Sequence, residues 1–377
     1  MLHSIFSGAA LAALAVLPAT LSAQGSLGAQ GFGYPTGQLS SGALGIGGST
    51  AEIDPASPIN PAALSTPTRF SIYMQFEPEF RQTTVPGGDV KTSTMRFPIF
   101  IGTGGYRRFT AGASFSTLLD RTWANTYSDS QVVGGETVPS SLRAASSGAI
   151  TDTRFAVSYL VSSKLQVGLG IHAISGGNRI EFGRTFPDST GIASIGQTSA
   201  INYSGRALSA GAMWQPITGL VIATSARFGG TLSADRDGDS LSTAEVPSRY
   251  GLGVTFFGIP NTTLSARVER TSWTDMRALG TSAISVFDAT EVGLGLDVSG
   301  PRLGGVASTV RFGVRDRGLP FGLNGEQVSE RSLSGGLALP VARGRGQIDL
   351  SLQRALRKAG GVTERGWIVG IGLGIRP

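Results

Sequence analysis

Apolar residues recur at every second position in a long series of stretches, each about ten residues long. One reads Leu165, Val167, Leu169 and Ile171, with Gln166, Gly168, Gly170 and His172 between them. Another reads Trp367, Val369, Ile371, Leu373 and Ile375, interleaved with Gly370, Gly372, Gly374 and Arg376. Side chains on a strand point alternately to opposite faces, so each stretch has one apolar face and one polar or empty face. In water the apolar face needs a second layer, but in a bilayer the lipid covers it. Strands cross lipid only as closed barrels, because backbone polar groups cannot stay unpaired there. The pattern predicts an all-β fold, a transmembrane antiparallel β-barrel.

The connections support it. Tight turns are expected at 162–164, 216–219, 258–261, near Gly300-Pro301 and between Pro340 and Gly344. Longer polar segments, read as loops, run over 121–147, 175–200, 229–246, 273–289 and 316–329. Short turns at one end and long loops at the other are an outer-membrane signature. With the strands at 70–76, 95–101 and 110–118 and the last one, the count is about fourteen, even as such barrels require. An N-terminus on the periplasmic side puts every tight turn in the periplasm.

Composition sharpens this. Glycine occurs 55 times in 377 residues, often inside the alternating stretches, which argues for narrow strand faces and close backbone approach. Charged residues are only 15% of the chain, and the mean hydropathy of +0.10 is close to neutral. Residues 1–23 carry an apolar run from Ala9 to Leu17 and end in Ser22-Ala23, which reads as a signal peptide cleaved after Ala23. Residues 24–65 are rich in Gly, Ser, Ala and Pro without a period, and residues 66–377 hold the barrel. A net charge of +6 comes from arginines scattered singly, with no basic helix and no aromatic stacking platform, so nucleic acid is not an expected partner. Outer-membrane lipids and lipopolysaccharide, or an anion-favouring lumen, suit this charge better. The expected location is the outer membrane, with the barrel as a monomer.

The stretch from Gly42 to Leu64, ending in Asn60-Pro61-Ala62, resembles the N-terminal plug of the FadL family of outer-membrane hydrophobic-compound transporters. The unit Phe155–Gly170 resembles that family's strand, tight turn and strand. The runs Val246–Gly253 and Arg267–Trp273 resemble its Pro-then-Gly-rich strand and the Trp that follows. Fourteen-stranded PorV-like barrels share much of this pattern. The resemblance implies that 24–65 folds into the barrel as a hatch whose end is Asn60, Pro61 and Ala62. It further implies capture of a hydrophobic small molecule by outer loops, and its exit through a gap near a kinked third strand. Gly112, in the corresponding strand, is the candidate for that kink, and an ordinary strand glycine is the alternative. The PorV-like pattern implies a second role, that of a non-transporting barrel serving an envelope protein partner in secretion or surface assembly. A general diffusion channel is a third.

Strand phase puts Phe100, Leu160, Met213 and Phe257 on the lumen face near the periplasmic ends, either as a pocket for an apolar ligand or as packing for the hatch. Arg267, Glu269, Asp297 and Arg311 share that face on neighbouring strands, as a charge ladder that stiffens the wall and tethers the hatch or holds an anionic group. Trp214 and Trp367 fall in lipid phase at opposite strand ends, where aromatic girdles belong. Asp235, Asp237 and Asp239 alternate as calcium ligands do, but Ser240 and Val246 break the EF-hand pattern, and a solvated loop tip fits better. With no cysteine and only His3 and His172, the chain lacks the material for a metal centre or a Ser-His-Asp triad. No enzyme activity and no cofactor are expected.

Overall fold

A computed structural model describes Leu27 and residues 32–64, 70–85, 88–279, 285–303 and 305–376. The expected signal peptide and its cleavage site lie outside the described residues. Backbone pairing accounts for most of the chain. A two-residue strand β1 (Tyr34–Pro35) precedes the wall, which begins with β2 (Phe70–Val85), β3 (Gly88–Arg96), β4 (Ile99–Tyr106), β5 (Phe109–Asp120) and β6 (Trp123–Val133). It continues with β7 (Glu136–Ser162), β8 (Leu165–Thr185), β9 (Ile195–Ile217), β10 (Leu220–Arg236), β11 (Asp239–Glu245) and β12 (Arg249–Ile259). The last third holds β13 (Thr262–Thr271), β14 (Ala289–Leu303), β15 (Val306–Leu323), β16 (Glu326–Val341), β17 (Gly346–Ala359) and β18 (Val362–Ile375).

Three wall strands are each broken once: between β3 and β4, between β5 and β6, and between β11 and β12. Counted as single strands they give fourteen, and the antiparallel pairing of β18 with β2 closes the barrel. The closure leaves no free edge where lipid would meet unpaired backbone. Outward positions carry the expected apolar band: Leu169, Leu208, Leu252, Leu294, Phe312 and Leu333 are all exposed. Trp214 and Trp367 also face outward.

Most segments expected as long outer loops are strands instead. β7 alone runs for 27 residues, and the outer hairpins turn at Gly134-Gly135, Asp237-Gly238, Asn324-Gly325 and Gly360-Gly361. Spanning a membrane takes about ten strand residues, so these strands project past the bilayer. There both faces meet water, and a strand polar on both faces reads as a loop. The connection that follows β13 (Thr262–Thr271) instead carries a 3-10 helix at Trp273–Leu279.

Residues 32–64 run inside the barrel against inward-facing positions. They include helix α1 (Ser41–Gly45), capped by the Ser40 hydroxyl, which accepts from the Ala43 amide at 3.0 Å, and a 3-10 turn at Pro61–Leu64. Asp54 ties the segment to itself by accepting hydrogen bonds from the Ser40 and Ser57 hydroxyls at 2.5 and 2.6 Å. Leu39, Ala43, Leu44, Ala51 and Ile59 form its own small core.

Candidate functional site

The inward glycines explain how a folded segment fits in the lumen. Gly168 and Gly211 face each other on β8 and β9, and the Asn60-Pro61-Ala62 turn presses on both. A Cβ at Gly211 would lie 1.9 Å from Asn60 Oδ1, and one at Gly168 would lie 2.4 Å from the Pro61 carbonyl carbon. Asn60 itself caps the turn: its Oδ1 accepts from the Ala62 amide at 2.9 Å, and its Nδ2 donates to the Glu52 carbonyl at 2.8 Å. Across the lumen Gly295 and Gly313, another facing pair, receive the backbone of Ile46 and Gly47.

Ion pairs fasten the same segment. Arg267 contacts Glu269 and lies 3.1 Å from Glu52 of the N-terminal segment and 3.0 Å from Glu291. Arg311 instead pairs with Asp297 at 3.5 Å and Asp349 at 2.5 Å. The expected ladder is therefore two separate clusters, joined to different partners. Gln38 bridges a third. Its amide donates to Asp152 at 3.2 Å, and its carbonyl accepts from Arg227 and Arg249 at 3.3 and 3.0 Å. His172 is buried in that cluster, its Nδ1 2.8 Å from Asp152.

The densest network surrounds Tyr34 and was not anticipated. The guanidinium carbons of Arg81, Arg96, Arg317 and Arg357 lie 4.6–5.3 Å from its ring centroid. Its hydroxyl donates to Glu330 at 2.8 Å and accepts from Arg357 at 2.7 Å and from Arg317. Glu79 pairs with Arg81, Arg96 and Arg357 at 2.6–2.7 Å, and Asp120 with Arg96 at 2.7 Å. Buried charges persist when paired, and mixed signs here pair every arginine of the cage. The signal was present in Glu77-x-Glu79-x-Arg81, a charged run at strand spacing on one face.

Above this network the lumen is apolar. Leu27 and Phe32 pack with Leu119, Ile150, Leu232, Val246, Phe321 and the loop residues Trp273 and Met276. Phe32 meets the Trp273 ring edge-on at 6.1 Å. This cluster, toward the outer end, is where apolar lumen residues converge, and strand phase did not select its members. Of the four that it did select, Phe100 must be corrected: it faces outward and is exposed. The break at Phe97-Pro98 reverses the phase, since Arg96 and Ile99 both point inward. Phe257 sits in the register break before Ile259 and is also exposed, at the periplasmic rim. Leu160 and Met213 keep the inward phase on β7 and β9, but the four do not converge on one pocket.

Nor does Gly112 kink the wall. It pairs regularly with Thr103 and Ala156, and its inner side meets Leu64. The third strand breaks higher, with a bulge between Thr117 and Leu119 and an interruption between β5 and β6. Beyond the Thr117 amide bond to the Pro98 carbonyl, at 2.9 Å, β3 pairs only with β2 and β6 only with β7. A seam opens between them, with a 440 Å³ cavity lined by Thr92, Thr94, Thr122, Trp123, Arg81 and Arg143. At its foot β1 pairs with the freed edge of β5, Tyr34 opposite Asp120 and Pro35 opposite Leu119. A second cavity, of 270 Å³, lies on the periplasmic side of α1 between Asp54, Tyr73, Arg311 and Asp349. Asp235, Asp237 and Asp239 lie at a hairpin tip, and no group of three metal-ligating side chains forms among the described residues.

No family model and no curated protein matches the sequence. Among solved structures the chain is similar to a Pseudomonas aeruginosa FadL homologue, at 13% identity and a TM-score of 0.62, over 91% of this chain and 99% of the other. It is also similar to the P. putida toluene transporter TodX, at 14% identity and a TM-score of 0.55, over 93% and 99% of the two chains. A TodX deltaS2 mutant, described as a monoaromatic hydrocarbon channel, gives 13% identity and a TM-score of 0.56 over 89% and 98%. The fold is FadL-like, an outer-membrane barrel architecture.

Proposed function

We propose that this barrel binds hydrophobic small molecules and passes them, without catalysis, past residues 24–65, which act as its plug. The observation that carries this reading is the apolar cluster around Phe32 and Trp273 inside the lumen, continuous through Tyr34 and Arg81 with the seam between β3 and β6. An apolar compound gains roughly 25 cal/mol per Å² of surface withdrawn from water, which favours its transfer from the outer medium into such a cluster. The seam then offers a sideways exit from the lumen at the outer edge of the bilayer, above the ion pairs of Arg267 and Arg311. Movement of Phe32 and β1 would open both at once, because the same few residues fill the cluster and cap the free edge of β5.

The test uses the full barrel in proteoliposomes with labelled toluene as probe, a compound chosen from the TodX likeness. Substituting Trp273 by Asp is expected to abolish saturable toluene uptake while heat-modifiable gel mobility shows an intact barrel. Uptake unchanged by that substitution would refute the reading. A barrel that takes up no apolar probe but retains an envelope protein on purification would favour the assembly role.

A further inference from the structure

The lipid-facing wall has a dent directly below the seam. Outward positions form cross-strand rungs, and two adjacent rungs read Phe70–Gly104–Ala111–Val157–Leu169 and Ile72–Gly102–Ala113–Phe155–Ile171. Their middles are glycine and alanine and their flanks are large, so a cavity of 990 Å³ is sunk into the wall over Gly102, Gly104, Ala111 and Ala113. The next rung toward the periplasm is aromatic, Tyr106–Phe109–Tyr159, with the Phe109 and Tyr159 rings 4.7 Å apart. Aromatic girdles mark the membrane interface, so the turn just beyond this rung lies at head-group level. That turn is Arg107-Arg108, both exposed, with the Arg107 guanidinium held over the Tyr106 ring at 5.2 Å. Lys164 occupies the neighbouring turn, also exposed.

The charge is one-sided around the whole rim. Periplasmic turns and strand ends carry Arg107, Arg108, Lys164, Arg302, Arg343, Arg345 and Arg376, and no Asp or Glu stands in any of the turns. We infer that the dent and the Arg107-Arg108 turn together form a site for one anionic phospholipid of the inner leaflet, its acyl chains in the dent and its phosphate on the two arginines. The arginines supply the charge complement, and the dent distinguishes this position from the other basic turns of the rim. A lipid held there lies against β4 and β5, which continue toward the periplasm the two strands that bound the seam.

Native mass spectrometry of the delipidated full barrel, titrated with phosphatidylglycerol or with phosphatidylethanolamine of the same acyl chains, tests the site. One phosphatidylglycerol per barrel should saturate ahead of phosphatidylethanolamine. R107Q/R108Q should weaken it by about fivefold per arginine, about 25-fold for the pair. G102L, whose Cβ meets nothing within 4 Å, should fill the dent and weaken binding with no change of charge. R302Q/R345Q, on the far rim, should leave it unchanged. Equal affinity for the two lipids, an equal loss in R302Q/R345Q, or full binding in G102L would each overturn the assignment.

Discussion

Adding a single methyl group at Gly211 tests whether the N-terminal segment is held by close fit. In Gly211→Ala the new carbon would lie 1.9 Å from Asn60 Oδ1, so Asn60 must retreat by about 1 Å or more to reach ordinary contact. Asn60 is fully buried and already makes two hydrogen bonds, so it has no free direction. Overpacking of this kind costs about 1–3 kcal/mol. Losing both hydrogen bonds adds about 0.5–1.5 kcal/mol each. The reduced freedom of alanine in the unfolded chain offsets only about 0.4–1 kcal/mol. The docked segment should therefore lose about 1–6 kcal/mol, enough to populate undocked states while the wall stays closed. Planar-bilayer recording should show raised conductance with intact heat-modifiable mobility. Gly102→Ala on the outer face, with nothing within 4 Å, is the control and should behave as wild type. Asn60→Gly in the Gly211→Ala background should restore the closed state in part. If Gly211→Ala and Gly102→Ala conduct alike, close packing does not hold the segment.

Deleting residues 24–64 should raise conductance further than any single substitution, and unchanged conductance would count against a plug. Tyr34→Phe leaves Glu330 and two arginines short of one partner in a buried cage, an expected loss of about 1–3 kcal/mol in chemical denaturation, with protease release of the N-terminal segment as a second readout. Arg267→Met strips Glu52, Glu269 and Glu291 of their shared cation and should cost about 3–5 kcal/mol by the same measurement. Thr94→Trp narrows the seam cavity, and toluene uptake should fall while barrel folding does not change.

Alternation along single strands was enough to read the barrel, its strand number and the inward face of Arg267, Glu269, Asp297 and Arg311. It failed where one residue changes the phase. Pro98 has no amide hydrogen, and the break it makes with Phe97 turned Phe100 outward, an event that a period of two cannot register. The outer strands were unreadable for another reason, since beyond the bilayer neither face has to be apolar. The cage at Tyr34 and the cluster at Phe32 depend on pairing residues roughly 50–330 positions apart, and local pattern contains no such information. Glycine was legible as close approach, but not what approached it.

The placement of Ile46, Gly47, Asn60 and Pro61 against glycines on β8, β9, β14 and β15 also dictates an order of events. The cradle exists only once both facing strands of each pair stand side by side, and Tyr34 finds its four arginines only after β15 and β17 have joined β2 and β3. The part of the chain made earliest thus settles into place after the part made latest. Contacts of such long sequence separation form slowly, because the intervening loop must close first. During assembly, an insertion intermediate must carry a wide, water-filled bore and a loose N-terminal tail, both of which vanish in a final step that adds no membrane-crossing strand.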